Sequence, residues 1–460
     1  MSTETTIAAL ATAPFPGGIA IIRVSGADAK NLAPQTFSSS ESPIASPRKM
    51  IFGNIVDPIK HEVIDQGLCV FMPAPNSYTG EDVVEYQMHG SLKLAEKLLT
   101  CLYSLGAEPA EPGEFTKRAF LNGKIDLAQA EAVNDLINAS SEKASKVAAD
   151  QLAGRFSSSI EEIGEPLRNA LAELEAAIDF PDEDIKPDGM KQISEIFKSA
   201  KNKIEVLLDS YDYGLLLKEG LKVLLAGRPN AGKSSLLNKL LGAERAIVTE
   251  ISGTTRDLIE ESSLIEGYPF VFCDSAGLTN TTDKVEKIGI ELAYNKLNWA
   301  DLILFVIDAS EMENLWLSTL TEIVSKKRKI WLIVNKIDLE TKAIGRVYCD
   351  SSLCQRNFYI SAKNGEGIES LKKALVEEIS TSIVSHSDSS GVITNTRHKA
   401  CLMRAKEALT KAIDASTTSM PAEIICAELQ LALYSLEEIV GKTYTEDILG
   451  RIFSKFCIGK

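Results

Sequence analysis

Cysteine is scarce and scattered: eight residues (Cys69, Cys101, Cys273, Cys349, Cys354, Cys401, Cys426 and Cys457) with no CxxC pair. Over 460 residues that excludes a disulfide framework and a zinc cluster, and points to a reducing compartment. Cys349 and Cys354 lie closest together, but no second pair or nearby His accompanies them, and their spacing is incidental. Basic side chains are outnumbered, 49 against 64 acidic, for a net charge of −15. That argues against coating nucleic acid by bulk charge and leaves room only for a local basic groove. No Lys or Arg precedes Arg23, unlike a secretory or transit peptide, and no apolar run approaches the roughly 18 residues that cross a bilayer. Internal repeats and low-complexity tracts are absent too. A cytoplasmic protein without membrane contact is expected.

What is present is ordinary for a globular protein, 45% hydrophobic and 25% charged, with length for about three domains at roughly 150 residues each. The first 120 residues read as α+β. Strand candidates Ile19 to Val24 and Gly67 to Met72 are punctuated by Pro14, Pro16, Gly17, Gly18, Pro73 and Pro75, with one helix from about Ser91 to Leu105. From Lys124 the texture turns helical, with Leu127, Ala130, Val133 and Ile137 at helical spacing. This stretch ends at the acidic, proline-bounded run Asp179 to Asp184, and a further helix spans about Met190 to Asp212. Helical texture returns from Thr396 to Ala415 and from Pro421 to Ile439. Between these regions lies a segment of alternating strands and helices, about Gly220 to Thr381, with Ser385 to Gly391 as its exit linker. The pattern is an α/β module inserted into a helical domain.

The inserted module carries a guanine-nucleotide site. Leu221 to Ala226 reads as a buried strand running into Gly227-Arg228-Pro229-Asn230-Ala231-Gly232-Lys233-Ser234, followed by a helix from Ser235 to Leu241. This is GxxxxGKS in the strand–loop–helix context a phosphate loop needs. Its glycines let backbone N–H groups converge on phosphate at a helix N-terminus, Lys233 faces the β- and γ-phosphates, and the Ser234 hydroxyl can ligate Mg²⁺. The strand Phe270 to Asp274 ends in Asp274-Ser275-Ala276-Gly277, a DxxG whose Asp binds Mg²⁺ through water and whose Gly N–H meets the γ-phosphate. Gly253-Thr254-Thr255-Arg256-Asp257 lies between the two, where a switch segment belongs, and offers Thr255 to Mg²⁺. The strand Trp331 to Val334 delivers Asn335-Lys336-Ile337-Asp338, an NKxD whose Asp accepts the paired N–H donors of guanine. Adenine lacks that pair and would strand a carboxylate, so GTP is selected over ATP. Phe358 to Ile360 leads to Ser361-Ala362-Lys363 at the guanine carbonyl.

The nucleotide contacts expected are therefore Asn230, Ala231, Gly232, Lys233, Ser234 and Ser235; the switch run Thr249, Glu250, Ile251, Ser252, Gly253, Thr254 and Thr255; Asp274, Ser275, Ala276 and Gly277; Asn335, Lys336 and Asp338; and Ser361 with Ala362. Hydrolysis is less determined. Leu278 follows the DxxG where small signalling GTPases have a water-orienting glutamine, so another group must align water. Glu286 competes for that role with Asp283 and Glu291, and a solvated helix glutamate is the plainer reading of each. Transition-state charge could be met by Arg256 or by a monovalent cation beside Asn230, which could equally just cap its turn.

Together GRPNAGKSSL, GTTRD, DSAGL and NKID resemble the MnmE (TrmE) family of tRNA-modification GTPases. Pro75 to Asp82, Pro112 to Thr116, Arg118 to Lys124 and the C-terminal Cys457-Ile458-Gly459-Lys460 extend the resemblance over essentially the whole chain, the helical region being least marked. It implies three parts. They are an N-terminal α+β folate-binding and dimerisation domain over 1–120, a helical domain split between 121–216 and 384–460, and a P-loop GTPase with a mostly parallel sheet over 217–383. It also implies a cytoplasmic homodimer that joins an FAD-dependent MnmG-type partner in a heterotetramer. This complex modifies C5 of the wobble uridine of certain tRNAs with 5-formyl- or 5,10-methylene-tetrahydrofolate as one-carbon source and glycine or ammonium as amine donor. By position Arg23, Glu81, Lys124 and Lys460 are the folate ligands, and Asn230, Thr249, Ile251 and Thr254 hold K⁺. Glu286 falls where the family has its catalytic glutamate, and a K⁺ ion makes an Arg256 finger unnecessary. Ser275, where threonine is commoner, is a conservative departure.

Cys457 has three readings: a thiolate adding to C6 of a uridine, a thiol serving the folate or tRNA pocket, or simple packing. The tail has the spacing of a prenylation box, but glycine and a terminal lysine fit that motif badly. A GTP-gated ribosome-assembly or signalling switch is the alternative function, and it predicts an appended basic RNA-binding domain. Lys326-Lys327-Arg328-Lys329 is too short to be one. A GTPase with a purely structural scaffold is the second alternative, and binding of 5-formyltetrahydrofolate separates both from the first.

Overall fold

The computed structural model describes residues 5–179, 187–242, 260–274, 297–310, 320, 329–339, 354–380, 391–418 and 420–460. The chain forms two compact units, one of Met1–Asn134, Gln151–Ile160 and Leu433–Lys460, the other of Asp135–Asp150 and Glu161–Ala432.

The N-terminal elements of the first unit are β1 (Ile7–Leu10), β2 (Gly17–Ser25), α1 (Ala29–Thr36), β3 (Phe37–Ser38), β4 (Ile51–Val56), β5 (Val63–Met72), β6 (Val83–Gly90), α2 (Leu92–Ser104), β7 (Glu108–Pro109) and α3 (Glu114–Leu121). Their strands form one sheet in the order β3-β4-β5-β6-β2-β1-β7, antiparallel except for the β1–β7 pair. Period-two alternation sends Ile22, Val24, Tyr86 and Met88 into a core shared with α1 and α2. The cross-strand partners Arg23 and Glu85 face the other way and form an ion pair at 2.7 Å. Where one helix is expected in this region the structure has three. α1 and α3 are eight residues each, and α1 contains Pro34, so neither is long enough to show a helical period.

The helical stretch after Lys124 is three helices, α4 (Leu127–Ile137), α5 (Glu142–Leu152) and α6 (Arg155–Asp179). Asp126 and Gln129 cap α4 reciprocally, each side chain accepting the other's backbone N–H. Ser141 Oγ caps α5, and Gly154 at φ +84° lets the chain turn into α6. α7 (Pro187–Asp209) is followed at once by α8 (Tyr211–Glu219), so helix continues to the edge of the inserted module, past the expected end at Asp212.

The module consists of β8 (Leu221–Ala226), α9 (Lys233–Leu241), β9 (Glu260–Ile265), β10 (Tyr268–Asp274), β11 (Leu302–Asp308), β12 (Lys329–Asn335), β13 (Arg356–Tyr359) and α10 (Ile368–Ser380), with the 3-10 turn Ile337–Leu339 after β12. The sheet order is β13-β12-β11-β8-β10-β9, parallel except for the β9–β10 hairpin, whose turn residues Glu266 and Gly267 both take positive φ. Apolar residues cover both faces, as a parallel sheet between layers requires. Val223, Phe270, Trp331 and Ile333 pack with α9 and α10 on one side, and Leu224, Phe305 and Leu332 lie on the other.

After the module come α11 (Thr396–Thr417), α12 (Ala422–Val440) and α13 (Glu446–Phe453), the last not expected from the sequence. Where the chain enters and leaves the module its two strands of backbone are clasped. Ser210 Oγ accepts from Ile393 N at 3.1 Å, Tyr211 and Thr396 share a hydroxyl hydrogen bond at 3.0 Å, and a Cβ on Gly214 would lie 2.0 Å from Ile393 O. In the first unit Phe120, Leu127, Leu449, Phe453 and Phe456 form a common core, which fixes the C-terminal helix beside α3. Among the described residues no helix is long and apolar enough to cross a membrane.

Candidate functional site

The functional residues of the module gather at the carboxyl ends of its parallel strands. β8 ends at the phosphate loop, β10 at Asp274, β11 at Asp308, β12 at Asn335, and β13 leads to Ser361. Chain order runs from β8 outward to β10 and then crosses to β11, so the phosphate loop sits where the sheet reverses direction, the place where open α/β sheets bind ligands.

The loop's shape follows from its residue types. Gly227 lies at φ +139°, and a Cβ there would come within 2.1 Å of Val306 O. Gly232 lies at φ +91°, with Asn335 Nδ2 only 2.2 Å from where its Cβ would stand. Asn230 takes φ +65°, a conformation asparagine tolerates better than most residues. Three left-handed positions curl the backbone so that N–H groups point inward above the start of α9. Lys233 is 5% exposed, and its ammonium donates to Gly227 O and Arg228 O, both at 2.9 Å. Burial lowers the Lys233 pKa, and the nearby Asp274 charge only partly opposes this. Ser234 Oγ donates to Asp274 Oδ2 at 2.8 Å, so the expected Mg²⁺ residues of two separate motifs already touch.

Asn335 is 2% exposed and bridges two loops: its Nδ2 donates to Ala231 O at 2.9 Å and its Oδ1 accepts from Ala362 N at 3.0 Å. It braces the phosphate loop against the Ser361 loop. Asp338 is exposed at the rim and accepts from Ser361 Oγ at 2.7 Å. Lys336 at φ +66° pairs with Asp308 at 2.7 Å. Burial alone would raise the Asp308 carboxyl, but Lys336 and the Ser310 amide and hydroxyl hold it below its ordinary value. Asp308 was not singled out in the sequence, although it closes β11 at the same sheet edge as every recognised motif. Thr249, Glu250, Ile251, Ser252, Gly253, Thr254, Thr255, Arg256, Ser275, Ala276, Gly277, Leu278, Asp283, Glu286 and Glu291 lie outside the described residues. Among the described residues no three His, Cys, Asp or Glu side chains converge as a metal cluster. A Mg²⁺ held largely by phosphates and water needs only one or two protein oxygens, so the absence of such a cluster does not speak against the expectation at Ser234 and Asp274.

A second constellation surrounds α3 in the first unit. The segment 75–81 is stitched to α3 and the turn after it. Tyr78 OH bonds Thr116 Oγ1 at 2.9 Å, Glu81 pairs with Arg118 at 3.1 Å, Asn122 donates to Thr79 O at 2.7 Å, and Lys124 donates to Pro75 O at 3.1 Å. Arg23 lies over the rings of Tyr78 and Phe115 at 5.3 and 5.6 Å. The C-terminal tail reaches the same helix: Gly113 N donates to Cys457 O, Ile458 bridges to Pro112, and a Cβ on Gly459, at φ +93°, would lie 2.1 Å from Leu10 O. Arg23, Glu81 and Lys124 thus share one neighbourhood, which the tail bearing Lys460 enters. Cys457 is exposed, whereas Cys69, Cys101, Cys273, Cys354, Cys401 and Cys426 are buried. Burial pushes the Cys69 thiol up to about 12, so it is inert.

Comparison with known proteins identifies the family of the chain. Residues 6–124 match the family described as GTP-binding protein TrmE N-terminus, and residues 127–457 match the MnmE helical domain. The tRNA modification GTPase MnmE of Natranaerobius thermophilus is 43% identical over 461 residues, covering 100% of both chains. Its counterpart in Clostridioides difficile is 42% identical over 467 residues, again covering 100% of both, and that of Nitrosomonas eutropha is 43% identical over 462 residues with the same coverage. On motifs, site geometry and end-to-end similarity, the chain belongs to the MnmE (TrmE) family of tRNA modification GTPases.

Proposed function

We propose that this protein is a cytoplasmic, K⁺-activated GTPase that modifies C5 of the wobble uridine of certain tRNAs together with an MnmG-type flavoprotein, using a one-carbon tetrahydrofolate. The observation that carries the nucleotide half is the row of strand ends, from Lys233 and Ser234 beside Asp274 to Asp338 beside Ser361. Guanine binds with its paired N–H donors on the Asp338 carboxylate, while its carbonyl faces the Ser361–Ala362 turn, which Asn335 holds in place by accepting the Ala362 N–H. The triphosphate draws the Lys233 ammonium from Gly227 O and Arg228 O, replacing two neutral acceptors with an anion. Ser234 and Asp274, with Thr255, would hold Mg²⁺, which would supply positive charge to the phosphates. Asn230, Thr249, Ile251 and Thr254 would hold K⁺, whose charge would serve in place of an arginine finger, and Glu286 would orient the attacking water.

In this reading 1–120 forms the folate-binding domain, its Arg23 and Glu81 joined at the ligand by Lys124 and Lys460 from the flanking segments, 121–216 and 384–460 form the helical domain, and 217–383 form the GTPase. The folate supplies the carbon added to the uridine. A pterin presents the same N–H and amine pair as guanine, so a carboxylate such as Glu81 is its natural acceptor. The exposed Cys457 lies on the tail that docks at α3, in position to serve the same pocket. Homodimerisation is supported by exposed apolar side chains on the uncovered face of the first unit's sheet, where Ile19 and Phe52 are 62% and 65% exposed.

GTP turnover in KCl against NaCl, with Glu286→Ala alongside, tests the hydrolysis scheme. Faster turnover in KCl and its loss in the variant are expected. Equal rates in the two salts would remove the cation, and undiminished turnover by the variant would remove the glutamate.

A further inference from the structure

We propose that Arg118 is a positioning residue of the folate pocket, holding Glu81 in the orientation that presents Oε1 to an N–H donor of a reduced pterin. The inference rests on the reading of the first unit as a tetrahydrofolate site and assigns the part that makes the site rigid. Arg118 is 3% exposed. Its Nε and Nη2 donate to Glu114 Oε1 at 3.3 and 2.7 Å, one turn earlier on α3. Nη1 donates to Glu81 Oε2 at 3.1 Å and lies 3.3 Å from Oε1. The remaining donors go to Thr5, the carbonyl at 2.7 Å and the hydroxyl at 3.3 Å. Each guanidinium nitrogen is thereby engaged, and a planar fork so occupied has one orientation.

Glu81 is held from its other side by Ser25 Oγ, which reaches Oε2 at 2.7 Å and shares a hydrogen bond with Thr79 at 2.7 Å. The firm bonds therefore fall on Oε2. Oε1 has only the long 3.3 Å contact and keeps lone-pair capacity for a ligand. The Glu81 side chain remains 12% exposed, against 4% for Arg118, so the carboxylate is what the pocket shows and the guanidinium is what fixes it. A lysine at 118 would keep the charge and lose the fork. One ammonium cannot span Glu114, Thr5 and both oxygens of Glu81 at once.

Calorimetric titration of the full chain with 5-formyltetrahydrofolate, in wild type, Arg118→Lys, Glu81→Gln and the double variant, tests this. Arg118→Lys should weaken binding roughly 10-fold when Glu81 is present and less than about 2-fold when it is Gln, because an effect transmitted through Glu81 disappears with it. Unchanged affinity in Arg118→Lys, or equal losses in both backgrounds as a merely structural role would give, would overturn the proposal and leave the folate reading intact. No binding by the wild type would overturn both. Should Arg118→Lys lose its cooperative melting transition, Ser25→Ala carries the same test by removing the other firm bond on Oε2. Its loss, roughly 3-fold, should again vanish in the Glu81→Gln background, and its persistence there would count against the proposal.

Discussion

At the scale of single residues, two side chains put the proposed nucleotide chemistry in measurable form. Asp338→Asn swaps a charged acceptor for a neutral amide at the guanine pair. It should weaken GTP binding by roughly 10- to 100-fold in a fluorescent-nucleotide titration, since hydrogen bonds to charged groups are the costly ones to lose. Unaltered affinity would place the base elsewhere. Lys233 adds a pH signature. Its pKa is lowered by burial in the free protein and would rise again against a triphosphate. Above the lowered value, GTP binding must then take up a proton, so affinity falls as pH rises through that window. The apparent binding enthalpy should vary with the ionisation heat of the buffer, and the same value in every buffer would show that no proton is taken up. The stability of the free protein runs the opposite way. Its unfolded chain holds that proton more tightly, so the penalty of burying the ammonium is relieved as pH rises from the lowered pKa toward the ordinary lysine value.

At the scale of elements, the phosphate loop depends on contacts outside itself. Gly232 is required by its own φ and again by Asn335, whose amide occupies the space a methyl group would need. Gly232→Ala should therefore displace either the loop or the Asn335 bridge. A loss of GTP affinity of about 100-fold or more is expected, with the circular dichroism of the fold retained, since backbone strain of this kind costs about 1–3 kcal/mol before the clash is counted. Wild-type affinity in that variant would mean the bridge is dispensable. The Lys336–Asp308 pair plays a comparable part at the next strand ends, fixing the backbone that delivers Asp338.

At the scale of the whole molecule, the sheet of the first unit treats its two faces differently. One is covered by α1 and α2, while the other exposes Phe52 and Ile19. In the proposed function a second copy of the chain is the occupant. Phe52→Asp should then shift sedimentation toward the monomer while leaving GTP binding by the protomer unchanged, because Phe52 takes no part in the strand-end site. A variant that sediments as the wild type does would move the interface elsewhere. The clasp between Ser210 and Ile393 matters at this scale too. It returns the chain to the helices beside the point where it left, which is what lets a GTPase be inserted without disturbing its host.

The phosphate loop, DxxG, NKxD and SAK runs were legible in the sequence because each is a contiguous stretch at a strand end. Their use depends on local backbone, where a glycine or an asparagine permits positive φ within a few residues. The tail signature was legible for the same reason. Short helices such as α1 and α3 were not, since eight residues give barely two turns of periodicity. Nor were the pairings that make the sites rigid: Asn335 to Ala231, Lys336 to Asp308, and Arg118 to Glu81, Glu114 and Thr5. Sequence by itself determined which chemistry the chain carries, because chemistry resides in residue types and local backbone. Only the tertiary structure decided which distant groups hold those residues still, because register and packing bring together side chains that no local spacing connects.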